Sequence, residues 1–569
     1  MALYGFLLND NENLHIKPSG NSKPFFEKKM NEGVLGGNFT SQMPNDKFFF
    51  EKDGISIAFD GINLTENIKM AEDFIKAYQT SGITFISELK GIFSGFIFDS
   101  NNQKLHLFND HLSTKNIYYY HSKKGFAFAS ALQTLSHCFK QNKITYNLNH
   151  DAVYMMALYG FILDNQTYIN EINILPYGSI LTYDLKNEQI NITSYFDFDN
   201  TTKPISYDVA IDIIEKKLTE SIAKNWDKNS QYSHSFFTLL SGGMDARVNA
   251  LIAKELGYKN IHSLTFGQSD SQDIKYAELI AQKEGFKHQT FNLDGGDYLY
   301  KDIYNNYIVP TDGMIFYNTI SHLKYTLQEL DLKPFSVVHS GQIGDLLFGS
   351  FSKSGYDIVK NKANIGYTGF VKPAHLLNKI KSLPRILKKY QEKGYEIYAY
   401  EERVIHATLF GDKSISHFIE TISPFYDREL IEFCISLPKE YKKNQMIYFD
   451  WLKKYHPQVL NYPWDKIQMK PNRKWKIKYG KIFKRYYNGA KKYFHWHYDS
   501  MNPYGIWLEK NKQILLELNR IFKEEMEKKL LPDEIKKDLN QIYHDDIFEY
   551  RNKFAVITAL LAIKLHFEK

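Results

Sequence analysis

The first 195 residues of the chain carry short apolar runs separated by turns rich in Asp, Gly and Asn. One helical stretch is predicted near residues 64–79. Many strands with few helices between them favour packed sheets flanked by helices over a parallel βαβ array. A polar segment at 197–204 then predicts a linker. The strand-like runs include 48–50, 56–59, 96–98, 105–108 and 117–120.

From residue 206 the pattern changes to an alternation of helices and strands. It predicts helices at 206–225, 245–256 and 272–285, and strands at 235–240, 261–266 and 288–292. This alternation is typical of a parallel sheet with right-handed crossovers, which binds ligands at the carboxyl ends of its strands. Residues 320–569 are expected to be mostly helical. The apolar run 554–563 is too short to cross a bilayer and predicts a buried helix.

The composition narrows the class of protein without giving a function. With 569 residues, 43% of them apolar and 24% charged, the chain is expected to form two or three globular domains. Its formal net charge of +6 is small for this length, so no nucleic-acid partner is expected. Only Cys138 and Cys434 are present, which argues against a disulfide framework and fits a reducing cytoplasm.

Two further features support a cytoplasmic protein without a zinc site. The N-terminus has neither a basic start nor a cleavage pattern, so no signal peptide is expected. His495 and His497 have no other residue at metal-ligand spacing nearby.

The most informative stretch joins the predicted strand at 235–240 to the helix that follows. Ser241, Gly242 and Gly243 lie at this junction, and Asp245 comes two residues later. Glycines let backbone N–H groups converge on an anion, and the helix N-terminus adds positive potential. Asp245 can then bind the Mg²⁺ that accompanies a polyphosphate. The pattern lacks the Lys-Ser/Thr ending of the Walker loop, which disfavours γ-phosphate transfer. The alternative is a tight turn that uses its glycines only for conformation.

This loop resembles the pyrophosphate loop of ATP pyrophosphatases, which split ATP into AMP and pyrophosphate. With further segments, the resemblance to the asparagine synthetase family covers nearly the whole chain. Residues 89–99, 107–120 and 126–130 are similar to that family's glutaminase domain. Residues 340–349 are similar to its second ATP segment. Residues 423–433, followed by 436–440, are similar to its Pro-Phe-x-Asp signature.

The resemblance implies an α/β plus α+β fold in three parts. Residues 1–195 would form an Ntn-hydrolase-like αββα sandwich of the glutamine amidotransferase type 2. Residues 205–485 would form a doubly wound parallel-sheet ATP pyrophosphatase domain, and residues 486–569 a helical C-terminal extension. ATP and Mg²⁺ are the cofactors that the resemblance implies.

The resemblance also implies which residues form the nucleotide site. Asp245 and Asp345 would bind Mg²⁺. A lysine after the Pro-Phe-x-Asp signature would stabilise the transition state at the α-phosphate, with Lys466 as the first choice and Lys470 as the second. Asp345 and Lys466 are therefore the expected catalytic residues. The remaining ATP contacts are expected from Leu240, Ser241, Gly242, Gly243, Thr265, Phe266, Ser340 and Gly341.

The sequence departs from the family in both halves. Position 2 is Ala2, where the family's glutaminase has its cysteine nucleophile, and Asp60 replaces the oxyanion-hole asparagine. A carboxylate there would repel a developing oxyanion, so this half is predicted to fold without hydrolysing glutamine. Gln342, Ile343 and Leu346 replace an acidic residue, a glycine and an acidic residue of the second ATP segment. Gln342 cannot act as a base toward an amine, which predicts an altered acceptor pocket.

The sequence indicates the substrates only as chemical classes. Segment 310–318 is expected to line the acceptor pocket together with Gln342. Asp312 and Tyr317 are its candidate residues, although each could equally be a structural turn residue. The leading hypothesis is an AMP-forming amide synthase that joins a carboxylate to an amine or ammonia. Authentic asparagine synthesis from aspartate and a catalytically silent nucleotide-binding scaffold remain alternatives.

A basic stretch gives two further partner hypotheses. Between Lys466 and Lys492 there are eleven Lys or Arg and no Asp or Glu, interleaved with aromatic residues. This stretch is either a solvated face or a contact for an acidic glycan or a peripheral membrane surface. A homodimer is left open.

Overall fold

The N-terminal half contains two six-stranded antiparallel sheets. A computed structural model of the chain describes residues 2–8, 26–30, 33–39, 43–232, 234–352, 355–369, 372–480, 482, 484 and 500–568. One sheet has the order β10-β8-β9-β1-β3-β2 and the other the order β12-β11-β7-β6-β5-β4. Their strands are β1 Ala2–Leu8, β2 Phe26–Met30, β3 Gly33–Asn38, β4 Lys47–Lys52, β5 Ile55–Asn63, β6 Gly91–Asp99, β7 Lys104–Asn109, β8 Tyr118–Ser122, β9 Gly125–Ala129, β10 Ile172–Ile174, β11 Ser179–Asp184 and β12 Gln189–Ser194.

Apolar side chains from alternate strand positions hold the two sheets face to face, among them the buried Leu35, Phe96 and Leu107. Helix α1 (Ala71–Ser81) packs on the outer face of the second sheet, and α2 (Leu132–Gln141) packs on strand β9 of the first. Helix α3 (His150–Tyr159) lies further out, against the C-terminal helices. These layers confirm the predicted αββα sandwich.

The predicted helix near 64–79 begins later than expected because the chain turns before it. The Asp73 carboxylate accepts hydrogen bonds from the backbone N–H groups of Lys69 and Met70, at 3.1 and 2.9 Å, and so caps the helix at residue 71.

The C-terminal half is built around a five-stranded, all-parallel sheet. The strand order is β15-β14-β13-β16-β17, so the chain crosses back over β13 before forming β16. Strand order therefore reverses between β13 and β16. This doubly wound arrangement confirms the prediction, although the strand expected at 235–240 spans only three residues. The strands are β13 Phe237–Leu239, β14 His262–Gly267, β15 Lys287–Asn292, β16 Val337–His339 and β17 Glu420–Ile422.

Helices surround this sheet and make up most of the chain beyond it. Segments Tyr304–Ile308 and Ala399–Thr408 are π-helical. The α-helices include α4 Tyr207–Gln231, α5 Met244–Glu255, α6 Gln272–Glu284, α7 Asn318–Gln328, the single turn α8 Gly344–Leu347, α9 Leu383–Lys393, α10 Leu409–Ile415, α11 Arg428–Ser436, α12 Met446–Tyr455, α13 Tyr504–Lys510, α14 Lys512–Glu527, α15 Asp533–His544 and α16 Tyr550–Phe567.

Helix α16 contains the apolar run 554–563 and is buried, as predicted. It packs against both halves: Asn552 Nδ2 donates to the Ala157 carbonyl of α3 at 3.0 Å, and His566 Nε2 lies 2.9 Å from the Asp312 carbonyl. None of the described helices is long and apolar enough to cross a membrane. His495, His497 and most of the basic stretch beyond residue 480 lie outside the described residues.

Candidate active site

A cleft of about 450 Å³ opens at the carboxyl ends of β13 and β16. These two strands flank the reversal of strand order, where doubly wound sheets bind their ligands. Most of the predicted nucleotide residues meet there. The cleft is lined by Leu240, Ser241, Gly243, Asp245, Phe266, Ser340, Gly341, Gln342, Asp345 and Lys466.

The loop after β13 leads directly into helix α5. Gly243 is the residue before the helix, its N–H donates to Ser241 Oγ at 3.1 Å, and Asp245 lies in the first helical turn. The buried Arg247 guanidinium donates to the Gly242 carbonyl at 3.0 Å and to the Tyr462 carbonyl at 3.2 Å. Arg247 therefore ties this loop to the segment that carries Lys466.

The loop after β16 packs so closely against α5 that it requires glycine. A Cβ on Gly341 would lie 2.2 Å from the Ala246 backbone nitrogen, and one on Gly344 would lie 2.6 Å from Asp245 Cγ. This contact brings the two acidic residues together, since the Asp345 N–H donates to Asp245 Oδ2 at 2.8 Å. Ile343, between the two glycines, has φ +62°, a strained conformation for a β-branched residue.

The cleft concentrates charge that the protein itself only partly neutralises. Burial and the neighbouring Asp345 carboxylate raise the pKa of Asp245 to about 7. Lys466 Nζ lies 3.3 Å from Asp345 Oδ2. Burial opposes the charge of Lys466, but Asp345 and Asp245 outweigh it and raise its pKa. The Tyr448 hydroxyl donates to Asp245 Oδ1 at 3.0 Å. No sequence pattern had indicated that Tyr448 belongs to the site.

This donor set fits Mg²⁺ held jointly with a polyphosphate. Among the described residues there is no group of three or more His, Cys, Asp or Glu that could bind a metal by itself. Mg²⁺ is usually bound through one or two carboxylates, with phosphate oxygens and water completing its shell. Asp245 and Asp345 supply that number, beside backbone N–H groups suited to phosphate.

Three predicted ATP-site residues do not point into the cleft. The Gly242 N–H donates to the Asp273 carboxylate and its carbonyl accepts from Arg247, so Gly242 has no free backbone group for phosphate. Thr265 is buried, and its hydroxyl donates to the Leu240 carbonyl. Lys470, the second choice for the cationic residue, is exposed outside the cleft, whereas Lys466 lines it.

Asp312 and Tyr317 do not line the cleft either, and the expectation for them was wrong. Asp312 is buried and caps helix α2, because its carboxylate accepts from the Leu132 and Gln133 N–H groups, both at 3.0 Å. Tyr317 is fully buried, and its hydroxyl donates to the Leu299 carbonyl at 2.9 Å. Both are structural residues, the alternative that the sequence had left open.

Gln342, the third acceptor-pocket candidate, does line the cleft, and its side chain contacts residues that line a neighbouring chamber. Its Nε2 donates to Asp412 Oδ1 at 3.0 Å, and the Tyr426 hydroxyl lies 2.9 Å from Gln342 Oε1 and 2.8 Å from Asp412 Oδ2. Burial raises the pKa of Asp412 to about 7. Asp412 could not be predicted as a site residue, because 69 residues separate it from Gln342.

That chamber, of about 320 Å³, lies between the two halves and is lined by Asp60, Lys115, Asp412, Glu420 and Tyr426 among others. Lys115 Nζ is 3.4 Å from Asp60 Oδ1 and 3.0 Å from Glu420 Oε1, and Lys47 pairs with Glu420 as well. Burial alone would raise the pKa of Asp60, but Lys115 and Lys47 together lower it. Asp60 is therefore part of a buried ion cluster. Ala2 lies in β1, where it pairs with Asn38 of β3.

Comparisons with known proteins agree with this division of the chain. A glutamine amidotransferase domain family matches residues 69–196, and an asparagine synthase family matches residues 217–463. The two matches define the class: an amidotransferase-type sandwich followed by a synthase-type parallel-sheet domain. Both halves of the chain are thus similar to the corresponding domains of asparagine synthetases.

The curated relatives are distant. "Putative asparagine synthetase (glutamine-hydrolyzing) 1" of Methanocaldococcus jannaschii is 23% identical over 372 residues, which are 63% of this chain and 58% of that protein. "Asparagine synthetase (glutamine-hydrolyzing) 2" of Bacillus subtilis is 22% identical over 417 residues, 66% of this chain and 54% of that protein. The matches thus span little more than half the length of these relatives.

Two solved structures show only slight similarity. Glutamine phosphoribosylpyrophosphate amidotransferase from B. subtilis, complexed with ADP and GMP, has a TM-score of 0.21 at 11% identity, over 48% of this chain and 80% of that one. An allosteric regulatory enzyme of purine biosynthesis has a TM-score of 0.22 at 10% identity, over 46% and 76%. Similarities this low carry no inference about this chain.

Proposed function

We propose that the chain is an ATP-dependent, AMP-forming amide synthase. The observation that carries the proposal is the grouping of Asp245, Asp345 and Lys466 beside glycine-containing loops at the carboxyl ends of β13 and β16. A carboxylate oxygen attacks the α-phosphorus of ATP, and the bond to the bridging β-phosphate oxygen breaks, releasing pyrophosphate. An amine nitrogen then attacks the resulting acyl-adenylate, and AMP leaves.

The residues of the cleft have distinct roles in this scheme. Asp245 and Asp345 would hold Mg²⁺, which would neutralise charge on the phosphates. Lys466 balances the negative charge that develops at the α-phosphate. Phe266, buried at the end of β14, forms the apolar side of the cleft where adenine binds.

The amine loses a proton as it attacks, and Gln342 cannot accept it. Asp412 is hydrogen-bonded to Gln342, and its pKa of about 7 leaves it partly deprotonated near neutral pH. We therefore assign Asp412, which lines the chamber behind Gln342, rather than Gln342 itself, as the group that finally accepts the proton. The cytoplasm, where MgATP is abundant, is the compartment that fits this scheme.

Exchange of labelled pyrophosphate into ATP, measured with Mg²⁺ and a panel of carboxylates, tests the proposal. Asp245→Asn should reduce exchange by about a hundredfold or more, because it removes one charge from the phosphate site. The matched control is Asp212→Asn, an exposed carboxylate of helix α4 that pairs with Lys454. Exchange that survives in Asp245→Asn would contradict the site. MgATP binding, followed by fluorescence of a nucleotide analogue, gives a second readout that needs no carboxylate.

Two alternatives make different predictions. The names of the curated relatives favour authentic asparagine synthesis. It requires exchange that depends on aspartate above other carboxylates. A silent scaffold requires that no carboxylate supports exchange, and the pairing of Asp245 with Asp345 argues against it. Contact of the basic stretch with a membrane or an acidic glycan, and a homodimer, stay predictions.

A further inference from the structure

A second cavity, of about 410 Å³, lies in the helical part of the synthase half. Its lining includes two guanidinium groups, Arg403 and Arg551, and three tyrosines, Tyr356, Tyr367 and Tyr395. No Asp or Glu is among the described residues that line it. Its volume falls within the range of small-molecule sites.

The two arginines have no carboxylate partner within salt-bridge distance among the described residues. Arg403 lies over the rings of Phe351 and Tyr367, with its Cζ 5.0 and 4.3 Å from their centroids, and its Nη1 donates to the Tyr395 hydroxyl at 3.2 Å. Its Nε is buried without a hydrogen-bond partner. Arg551 Nη1 makes a long contact, 3.5 Å, to the Tyr367 carbonyl, and the guanidinium Cζ lies 5.8 Å from the centroid of the Tyr550 ring. A half-buried cation with an unmatched N–H favours binding of an anion.

The cavity and the nucleotide cleft are lined by residues of the same π-helical segment. Arg403 and Thr408 lie on the segment Ala399–Thr408, and the Thr408 hydroxyl donates to the Arg403 carbonyl at 3.1 Å. The Tyr367 hydroxyl, whose ring faces Arg403, is 3.4 Å from Thr408 Oγ1. Thr408 itself lines the cleft. The segment is ten residues long, and π-helices are rare and often lie at functional sites.

The other lining groups suit a hydroxylated ring. Asn361, Asn364 and Thr368 supply amide and hydroxyl groups for hydrogen bonds to hydroxyls. Tyrosine rings supply flat apolar faces with a polar edge. Guanidinium groups bind carboxylates through parallel hydrogen bonds.

We propose that this cavity binds a carboxylated sugar unit of the acceptor, with its acidic group held by Arg551 and Arg403. The ring lies against the tyrosines, and a second carboxylate of the same acceptor extends past Thr408 into the cleft to be activated. The role as acceptor site rests on the proposed function, whereas binding of the sugar does not.

Saturation-transfer NMR on the full chain, without nucleotide, tests the binding directly. The probes are glucuronate, glucose and glucose 6-phosphate. Transfer should reach the ring protons of glucuronate and be weak for glucose. Arg551→Gln should reduce the affinity for glucuronate about tenfold, the effect of losing a hydrogen bond to a charged group. Arg551→Lys keeps the charge but not the paired N–H groups and should lose less.

Arg520→Gln is the matched control, because it removes the same charge from an exposed position on helix α14 and should bind glucuronate as the unchanged chain does. Equal transfer to glucose and glucuronate, no transfer to any probe, or full binding in a folded Arg551→Gln variant would overturn the proposal. Stronger transfer to glucose 6-phosphate would assign a phosphate instead of a carboxylate and overturn it as stated. Glucuronate binding that depends on Arg551, without pyrophosphate exchange, would contradict the proposed function but not this site.

Discussion

The nucleotide cleft and the buried chamber both hold clustered charges, yet they differ in how those charges are balanced. In the cleft, Asp245 and Asp345 face each other with one lysine, and the pKa of Asp245 is raised. In the chamber, Asp60 and Glu420 are matched by Lys47 and Lys115, and the pKa of Asp60 is lowered. An unbalanced cluster is prepared for a cationic ligand, whereas a balanced one stabilises the protein itself. Clustered acidic residues in one chain can thus serve opposite purposes.

The ion cluster gives the largest expected effect on stability. Glu420→Ala would remove a carboxylate that pairs with two buried lysines, Lys47 and Lys115, and should lower the free energy of unfolding by about 3–5 kcal/mol. Chemical denaturation measures this change. Glu429→Ala is the control, since Glu429 also pairs across the two halves, with Lys90 at 2.6 Å, but is exposed. It should cost about 1 kcal/mol or less. Equal losses would show that the chamber charges are not coupled.

In the cleft, the largest effect on activity should come from Lys466. Lys466→Ala removes the cation nearest the two carboxylates and should reduce pyrophosphate exchange by about a hundredfold to a thousandfold. Lys470→Ala, four residues away on the surface, should leave exchange unchanged. If both variants behave alike, the assignment of Lys466 to the α-phosphate is wrong.

Asp412 lies between the two regions and should affect only the second half-reaction. Asp412→Asn should slow amide formation by about a hundredfold while sparing pyrophosphate exchange. Because a general base acts when deprotonated, the rate for the unchanged chain should rise with pH through about 7, and this rise should disappear in the variant. A parallel loss of both activities would instead indicate a structural role for the Gln342–Asp412–Tyr426 contacts.

Asp60 and Asp245 should also change the pH dependence of stability in opposite directions. The pKa of Asp60 is lowered, so its charge stabilises the fold at any pH above the ordinary pKa of an aspartate. This contribution is lost as the pH falls below that value. The pKa of Asp245 is raised from 3.8 to about 7, so between these pH values the folded chain keeps a proton that the unfolded chain loses. The free energy of unfolding therefore falls as the pH rises from about 4 to about 7. Asp245→Asn should remove a slope of up to about 1.4 kcal/mol per pH unit, measured without Mg²⁺ or nucleotide.

The smallest expected effect is a null result at the former glutaminase position. Ala2→Cys restores the family's nucleophile type, yet glutamine hydrolysis should stay undetectable. Asp60 is held in the ion cluster and cannot serve as an amide donor to an oxyanion. Release of ammonia from glutamine, measured with a coupled dehydrogenase, would show activity if it were regained. Such a gain would mean that the balanced cluster still permits catalysis.

Local patterns predicted the packed N-terminal sheets, the parallel sheet and the first glycine loop, because phosphate binding requires close approach of backbone N–H groups at the end of a strand. The second glycine loop, Asp345 and Lys466 were predicted only from the family resemblance. Contacts formed at long range were not visible. Arg247 joins loops more than 200 residues apart, and Asp412 reaches Gln342 only once α10 packs beside the sheet. Asp312 was misjudged because its role as a cap depends on α2, 180 residues earlier in the chain.

Helix α16 has a consequence for how the chain matures on the ribosome. Its first turn carries Arg551 and contacts α3 through Asn552, and its last turn contacts the backbone of Asp312. Neither half can bury all of its apolar side chains until this helix has been synthesised, more than 500 residues after β1. Nascent chains halted before residue 550 should therefore expose apolar surface and recruit chaperones, even though all strands have already been translated.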